Sequence, residues 1–253
     1  MQKQDIMQEF FDNAVSYMTR IKTEERERIE TVAKLIADQV EKDKLIYIWG
    51  PGGHSNMNAM EVFFRAGGLM HVSAILDEGT MLSSGALRSM AIERTPGYGR
   101  IVIQDNLLKK GDLLIIANAY GINSACLDAA LTAKEIGCTT IAVTSVEHAN
   151  NIPADHPARH LSKKNLYQAC DYYIDTKVPV GDAVITIPGI EQKMGAVSTL
   201  CNAYTLNCLM MEAASILGER GVEVPLWKSG NCPGGDAWND KFISRFKGKV
   251  RWM

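Results

Sequence analysis

Residues 45–49 form a short apolar run that passes directly into Gly50-Pro51-Gly52-Gly53-His54-Ser55, after which Met57, Met60, Phe63 and Phe64 recur at helical spacing. This order predicts a strand, a glycine-rich turn and a helix. The turn has a chemical consequence as well. Glycines let backbone N–H groups approach a ligand and the helix start adds partial positive charge, so an anionic or polyhydroxylated small molecule is the natural guest. A tight structural connection would use the same glycines.

The alternation continues along the chain. Further strands are expected at 71–76, 113–117, 140–144 and 172–175, separated by helical patterns around 55–66, 84–93, 123–136 and 161–169. Such an order gives a mostly parallel sheet covered on both faces. Ahead of it, residues 5–41 alternate apolar and charged positions at helical spacing, which predicts two helices meeting near Thr23, with Thr23 capping the second. A long apolar helix is expected over 194–217. The tail from Gly221 is rich in Gly, Pro, Trp and Asn, and Trp227, Trp238, Phe242 and Phe246 give it enough apolar area to dock, over a neighbouring subunit's site or as a looser tail.

With 253 residues and 46% hydrophobic content, the chain reads as a single domain over 1–253 with an N-terminal helical segment of about 1–43. Its 27 basic and 29 acidic residues are well mixed and sum to -2, which leaves no electrostatic footprint for nucleic acid or a membrane surface. Cys126, Cys138, Cys170, Cys201, Cys208 and Cys232 lie far apart with no Cys-x-x-Cys pair, and read as reduced packing residues. No signal-peptide pattern opens the sequence and no stretch is long and apolar enough to span a bilayer, so the expected compartment is the cytoplasm.

In an open parallel sheet, ligands collect beyond the carboxyl ends of the strands. The exits here are Gly50 to Ser55, then Asn118-Ala119-Tyr120-Gly121-Ile122-Asn123-Ser124, then Thr144-Ser145-Val146-Glu147-His148. Gly195-Ala196-Val197-Ser198-Thr199 adds two hydroxyls near the start of the late helix, where they face the same crevice or simply cap. Arg65, Arg88 and Lys193 are candidate partners for an anionic tail. No His-x-x-His or Glu-x-x-His spacing supports a metal, and no cofactor is expected.

Together these turns resemble the sugar isomerase domain family, and within it the branch of phosphosugar-binding proteins. Phe63-Phe64-Arg65-Ala66-Gly67-Gly68, Gly79-Thr80-Met81-Leu82, Gly85-Ala86-Leu87, Thr144 to His148, His156-Pro157, Pro179-Val180-Gly181-Asp182-Ala183 and Ser198-Thr199 are all similar to that branch. The resemblance implies a three-layer, doubly wound α/β fold around a five-stranded, mostly parallel sheet. It also implies a small-molecule sugar substrate, and a homodimer or homotetramer whose ligand crevice is completed by a neighbouring subunit.

One departure stands out. Where family members hold a phosphate with Ser-Asn-Ser-Gly, this chain has Ala117-Asn118-Ala119-Tyr120-Gly121, so both serines are replaced and a tyrosine is added. Each lost hydroxyl forfeits a charge-assisted hydrogen bond of about 1.5–3 kcal/mol unless something replaces it. The substrate is then a phosphosugar held by backbone amides, Ser124 and Ser198, a sulfonated sugar, or one without an anionic group and with Tyr120 in the space.

Aldose–ketose interconversion through an enediol needs a base that moves a proton between C1 and C2, and a group that opens the ring. Glu61, on the helix opened by the first turn and among Met57, Met60, Phe64 and Ala66, is the expected base, since apolar neighbours push a carboxyl upward; the resemblance implies the same role. His54 or His148 is expected to open the ring. Gly52, Gly53, Ser55, Asn118, Tyr120, Asn123, Ser124, Ser145, His156, Ser198 and Thr199 are the expected sugar contacts. His71 reads as structural and His160 as an exposed loop residue. The competing reading is a non-catalytic sugar-phosphate sensor, and no helix-turn-helix segment accompanies the sheet. A nucleotide-binding Rossmann enzyme is disfavoured because Gly50-Pro51-Gly52-Gly53 lacks the Gly-x-Gly-x-x-Gly spacing.

Overall fold

The computed structural model describes residues 4–253. Two amphipathic helices come first, α1 (Ile6–Glu24) and α2 (Arg26–Glu41). The Asp5 carboxylate caps α1 by accepting from the Gln8 N–H at 3.1 Å. Thr23 does not cap α2, because α1 runs on through Glu24 and the Thr23 hydroxyl donates back to the Thr19 carbonyl within it. Glu25 makes the break. Its side chain is buried, held by Lys177 at 2.7 Å and Arg28 at 2.8 Å.

There follow β1 (Ile46–Trp49), α3 (Asn56–Val62), β2 (Val72–Ile75), a short 3-10 turn (Leu82–Ser84), α4 (Ala86–Glu93), α5 (Tyr98–Asp105), β3 (Leu113–Ala117), α6 (Ser124–Ile136), β4 (Thr139–Thr144), α7 (Val146–Asn151), α8 (Leu166–Ala169) and β5 (Tyr172–Asp175). The chain closes with β6 (Ala183–Ile185), β7 (Met194–Ala196), α9 (Ser198–Glu219) and α10 (Gly235–Phe246). Strands β1 to β5 form one parallel sheet in the order β2-β1-β3-β4-β5, as the alternating pattern and the resemblance lead one to expect.

Side chains alternate across this sheet and so build two cores. Ile46, Ile48, Leu113 and Ile115 pack toward α2, α3 and α9, with Ile36, Val40, Leu206 and Leu209. Trp49, Leu114 and Ile116 face the other way, toward Ile103 of α5 and Ala125, Leu127 and Ala129 of α6. Each buried side chain of this size contributes about 1.5–3 kcal/mol. Strand β3 is buried at all five positions, which is why it reads as an unbroken apolar run.

Several segments differ from the sequence reading. The helix expected from 194 begins only at Ser198, since Gly195 at φ +74 turns the preceding residues into β7, paired antiparallel with β6. Of the pattern at 161–169 only Leu166–Ala169 is helical. Helix α5 follows Pro96 and a left-handed Gly97, whose turn signals mask its short apolar stripe. The C-terminal segment is not a loose tail: Trp227, Phe242, Phe246 and Val250 bury themselves with Met70. Among the described residues no helix is long and apolar enough to cross a membrane, and all six cysteines are free.

Candidate functional site

Strands β1 and β3 lie side by side, with Trp49 opposite Ile116. The chain order reverses between them, because β2 lies beyond β1 and β4 beyond β3. Their exit loops therefore diverge and leave a crevice at the carboxyl end of the sheet.

The first loop is tight enough that any side chain at Gly50 would overlap the Ser55 carbonyl, and Gly52 sits at φ +121, where side chains are disfavoured. Asn118, the first residue after β3, ties the two loops together. Its Nδ2 donates to the Pro51 carbonyl at 2.7 Å and to Ser55 Oγ at 3.2 Å, while its Oδ1 accepts from the Tyr120 and Gly121 N–H groups at 3.1 and 2.8 Å.

The resulting cavity of about 330 Å³ is at the lower end of the range of small-molecule sites. Gly53, His54 and Ser55 supply one wall, Leu82, Ala86, Ser89, Met90 and Glu93 a second, and Asn118, Ala119, Tyr120 and Asn123 a third. Asp182, Ala196, Ser198 and Thr199 close it. Glu93, the last residue of α4, turns its carboxylate against Gly52. Burial pushes that carboxyl above the usual range, against smaller lowering effects of Arg94 and the Asn123 side chain.

Tyr120 shares the cavity lining with two acidic groups, Glu93 and Asp182. Burial first, then the Asp182 and Glu93 charges, raise its phenol to about 12, so the hydroxyl stays protonated and can donate. Behind it lies His148, stacked at 3.8 Å between ring centroids and 16° between planes. His148 Nδ1 accepts from the Gly181 N–H at 3.3 Å, and burial lowers the imidazole pKa, so it is neutral near pH 7. Asp182 is fully engaged. Its Oδ1 accepts from the Val197 and Ser198 N–H groups at 2.9 and 2.7 Å and its Oδ2 from the Ser198 hydroxyl at 2.6 Å, which holds the start of α9 in place.

Of the sugar contacts and histidines expected from the sequence, Gly53, His54, Ser55, Asn118, Tyr120, Asn123, Ser198 and Thr199 line this cavity. Gly52 is buried beneath Glu93, and Ser124 is buried in the first turn of α6. The third strand exit contributes only from behind: Ser145 is buried, donates to the Val178 carbonyl at 2.6 Å and caps α7, while His148 backs Tyr120. His156 lies exposed in a loop, accepting from the Ala158 N–H. Arg65, Arg88 and Lys193 are exposed and do not line the cavity.

Glu61 is not among the residues that line this cavity. Helix α3 turns Ala59 and Val62 into the core, which directs Glu61 toward α9, where Asn207 donates to it at 3.3 Å and Arg65 pairs with it at 3.5 Å. The carboxylate at the glycine turn is Glu93, which the sequence reading did not single out. No sequence signal marked it, since a glutamate at the end of a helix also closes α1, α2 and α9.

A family model described as "SIS domain" matches residues 9–145, more than half of the chain. The chain is 31% identical over 248 residues to the UPF0309 protein OB3413 of Oceanobacillus iheyensis, covering 98% of this chain and 99% of that one. Among solved structures it is similar to a candidate phosphosugar isomerase of Silicibacter pomeroyi, with TM-score 0.50 and 15% identity over 85% of this chain and 52% of the other. It is also similar to a phosphoheptose isomerase of Francisella tularensis, with TM-score 0.49 and 14% identity over 85% and 100%. At these identities the structural likeness is one of fold.

Proposed function

This chain belongs to the SIS domain family, and we propose that it interconverts an aldose and its ketose in the cavity beyond β1 and β3. The observation that carries the reading is Glu93, a carboxylate with an upward-shifted pKa inside a cavity of small-molecule size lined by both hydroxyl and apolar groups. A base with that tuning takes the proton from C2 of the open-chain aldose and returns it to C1, passing through an enediol. Tyr120, Ser55 and Thr199 are placed to hydrogen-bond the sugar oxygens while charge develops on them. His54, exposed at the rim, is the imidazole free to open the ring, whereas His148 orients Tyr120.

Assembly belongs to the same proposal. Leu82 and Met90 line the cavity yet leave apolar surface in solvent, which supports a homodimer or homotetramer in which a neighbouring subunit covers the mouth. Sedimentation equilibrium tests this, and a monomer would remove it.

The activity is tested by incubating the protein with aldoses and ketoses, each free and as the 6-phosphate, in heavy water. Deuterium uptake at C2 together with formation of the partner sugar is the expected result. A sugar that binds without exchanging contradicts isomerisation and leaves a sugar-binding module.

A further inference from the structure

We propose that Ser89 and Asn56 are positioning residues for Glu93: by donating to one carbonyl, that of Thr80, they lock α4 to the first loop and so hold the Glu93 carboxylate against Gly52. The proposal rests on the reading of Glu93 as the base.

Helix α4 carries Glu93, yet it buries little of itself. Among its described residues only Ser89 is buried, while Leu87 and Met90 stand in solvent. A helix is ordinarily fixed by an apolar stripe. Here the buried group is a hydroxyl, and Ser89 Oγ donates to the Thr80 carbonyl at 2.7 Å. Residues four apart lie on one face of a helix, so anchoring Ser89 also sets the direction in which Glu93 points, one turn later.

Asn56, the first residue of α3, completes the bracket. Its Nδ2 donates to the same Thr80 carbonyl at 2.9 Å and to the Gly52 carbonyl at 2.8 Å, and its N–H reaches the Gly52 carbonyl at 3.1 Å. Gly52 is the backbone on which the Glu93 carboxylate lies, close enough that a side chain there would overlap it. One amide therefore ties down both the loop beneath the carboxylate and, through Thr80, the helix that bears it. Thr80 is itself held, since Asp77 Oδ2 accepts from its N–H and its hydroxyl, both at 2.9 Å. The Asn56 Oδ1 atom is buried without a partner, so this amide is kept for its donors at some cost to stability.

The test uses the full chain with Ser89→Ala, Ser89→Thr and Asn56→Ala. Without ligand, the Glu93 carboxyl is titrated by carbon-13 NMR. It should titrate above ordinary glutamate in the unmodified protein, and move back toward the ordinary value in Ser89→Ala and Asn56→Ala as the carboxyl gains water. With sugar in heavy water, the turnover number for exchange should fall at least about tenfold in both, with KM within about threefold. Ser89→Thr, which keeps the donor, should match the unmodified protein on both counts. The Ser89 variants decide the proposal where Asn56→Ala does not fold. An unmoved titration in Ser89→Ala overturns it. So does a Ser89→Thr variant as impaired as Ser89→Ala, which would make space rather than the hydrogen bond decisive. If the titration moves but Glu93→Gln still exchanges, the bracket is upheld and the base assignment alone falls. If no sugar exchanges, the titration decides.

Discussion

Tyr120 and His148 stack nearly parallel, 3.8 Å between centroids, so a residue of the β3 exit is fixed by a residue of the β4 exit. Aromatic stacking of this kind is worth about 0.5–1.5 kcal/mol beyond the area it buries. His148→Ala should therefore lower the unfolding free energy by about 1–3 kcal/mol, stacking and packing together. Tyr120→Phe keeps the stack and should leave stability within about 0.5 kcal/mol, while sugar affinity drops about tenfold for the lost hydroxyl donor. Denaturant titration and calorimetry separate the two effects. Unchanged affinity in Tyr120→Phe would remove the phenol from the binding site.

Asp182 holds the start of α9 through three hydrogen bonds, from a left-handed backbone at φ +67 that aspartate adopts more readily than most residues. Asp182→Ala should cost about 2–4 kcal/mol, because buried N–H groups at a helix start lose their acceptor. Asp182→Asn retains one acceptor oxygen and should cost less than half as much. Urea midpoints of the two variants check the order, and equal losses would show that charge rather than hydrogen bonding holds this end of α9.

His71 is fully buried at the start of β2, edge-on to Phe246, with Nε2 3.3 Å from Asp43 Oδ1, which also accepts from Arg245, while Lys249 donates to Asp43 Oδ2. Burial, aided by Arg245 and Lys249 and opposed by Asp43, lowers its pKa to about 4. Unfolded histidine titrates near 6.5. Above that value both states are neutral and the shift costs nothing. As pH falls from about 6.5 toward about 4 the unfolded chain takes a proton that the native site refuses, so stability is lost, in total about 3 kcal/mol. Unfolding free energies measured at intervals over that range should fall with pH, and His71→Asn should flatten the fall. A parallel slope in the variant would assign the acid sensitivity to other groups.

The sheet was legible because its signals are local and repeated. Each strand is a four- to six-residue run rich in aliphatic, aromatic or β-branched residues next to a turn, and β3 and β5 were read to their exact residues. The hairpin of β6 and β7 was not legible, since Met194 reads as the first apolar position of α9 and only the backbone of Gly195 separates them. At the site, the residues found from the sequence stand in the loops themselves, where glycines and polar side chains mark a strand exit. Glu93 and Asp182 come to the cavity from a separate helix and from the approach to a hairpin. Their arrival depends on how α4 and α9 pack, which periodicity does not encode. Glu61 shows the converse: its apolar neighbours Met57, Met60 and Phe64 read as a burying environment, yet all three are substantially exposed.

The most direct measurement is deuterium exchange at C2 of a bound sugar, compared between Glu93→Gln and Glu61→Gln, with ligand affinity determined for both. The account predicts that Glu93→Gln loses exchange by at least about a thousandfold while affinity changes by no more than a few-fold, and that Glu61→Gln exchanges within about threefold of the unmodified protein. Loss of exchange in Glu61→Gln with Glu93→Gln still active would contradict it, and would return the base to α3.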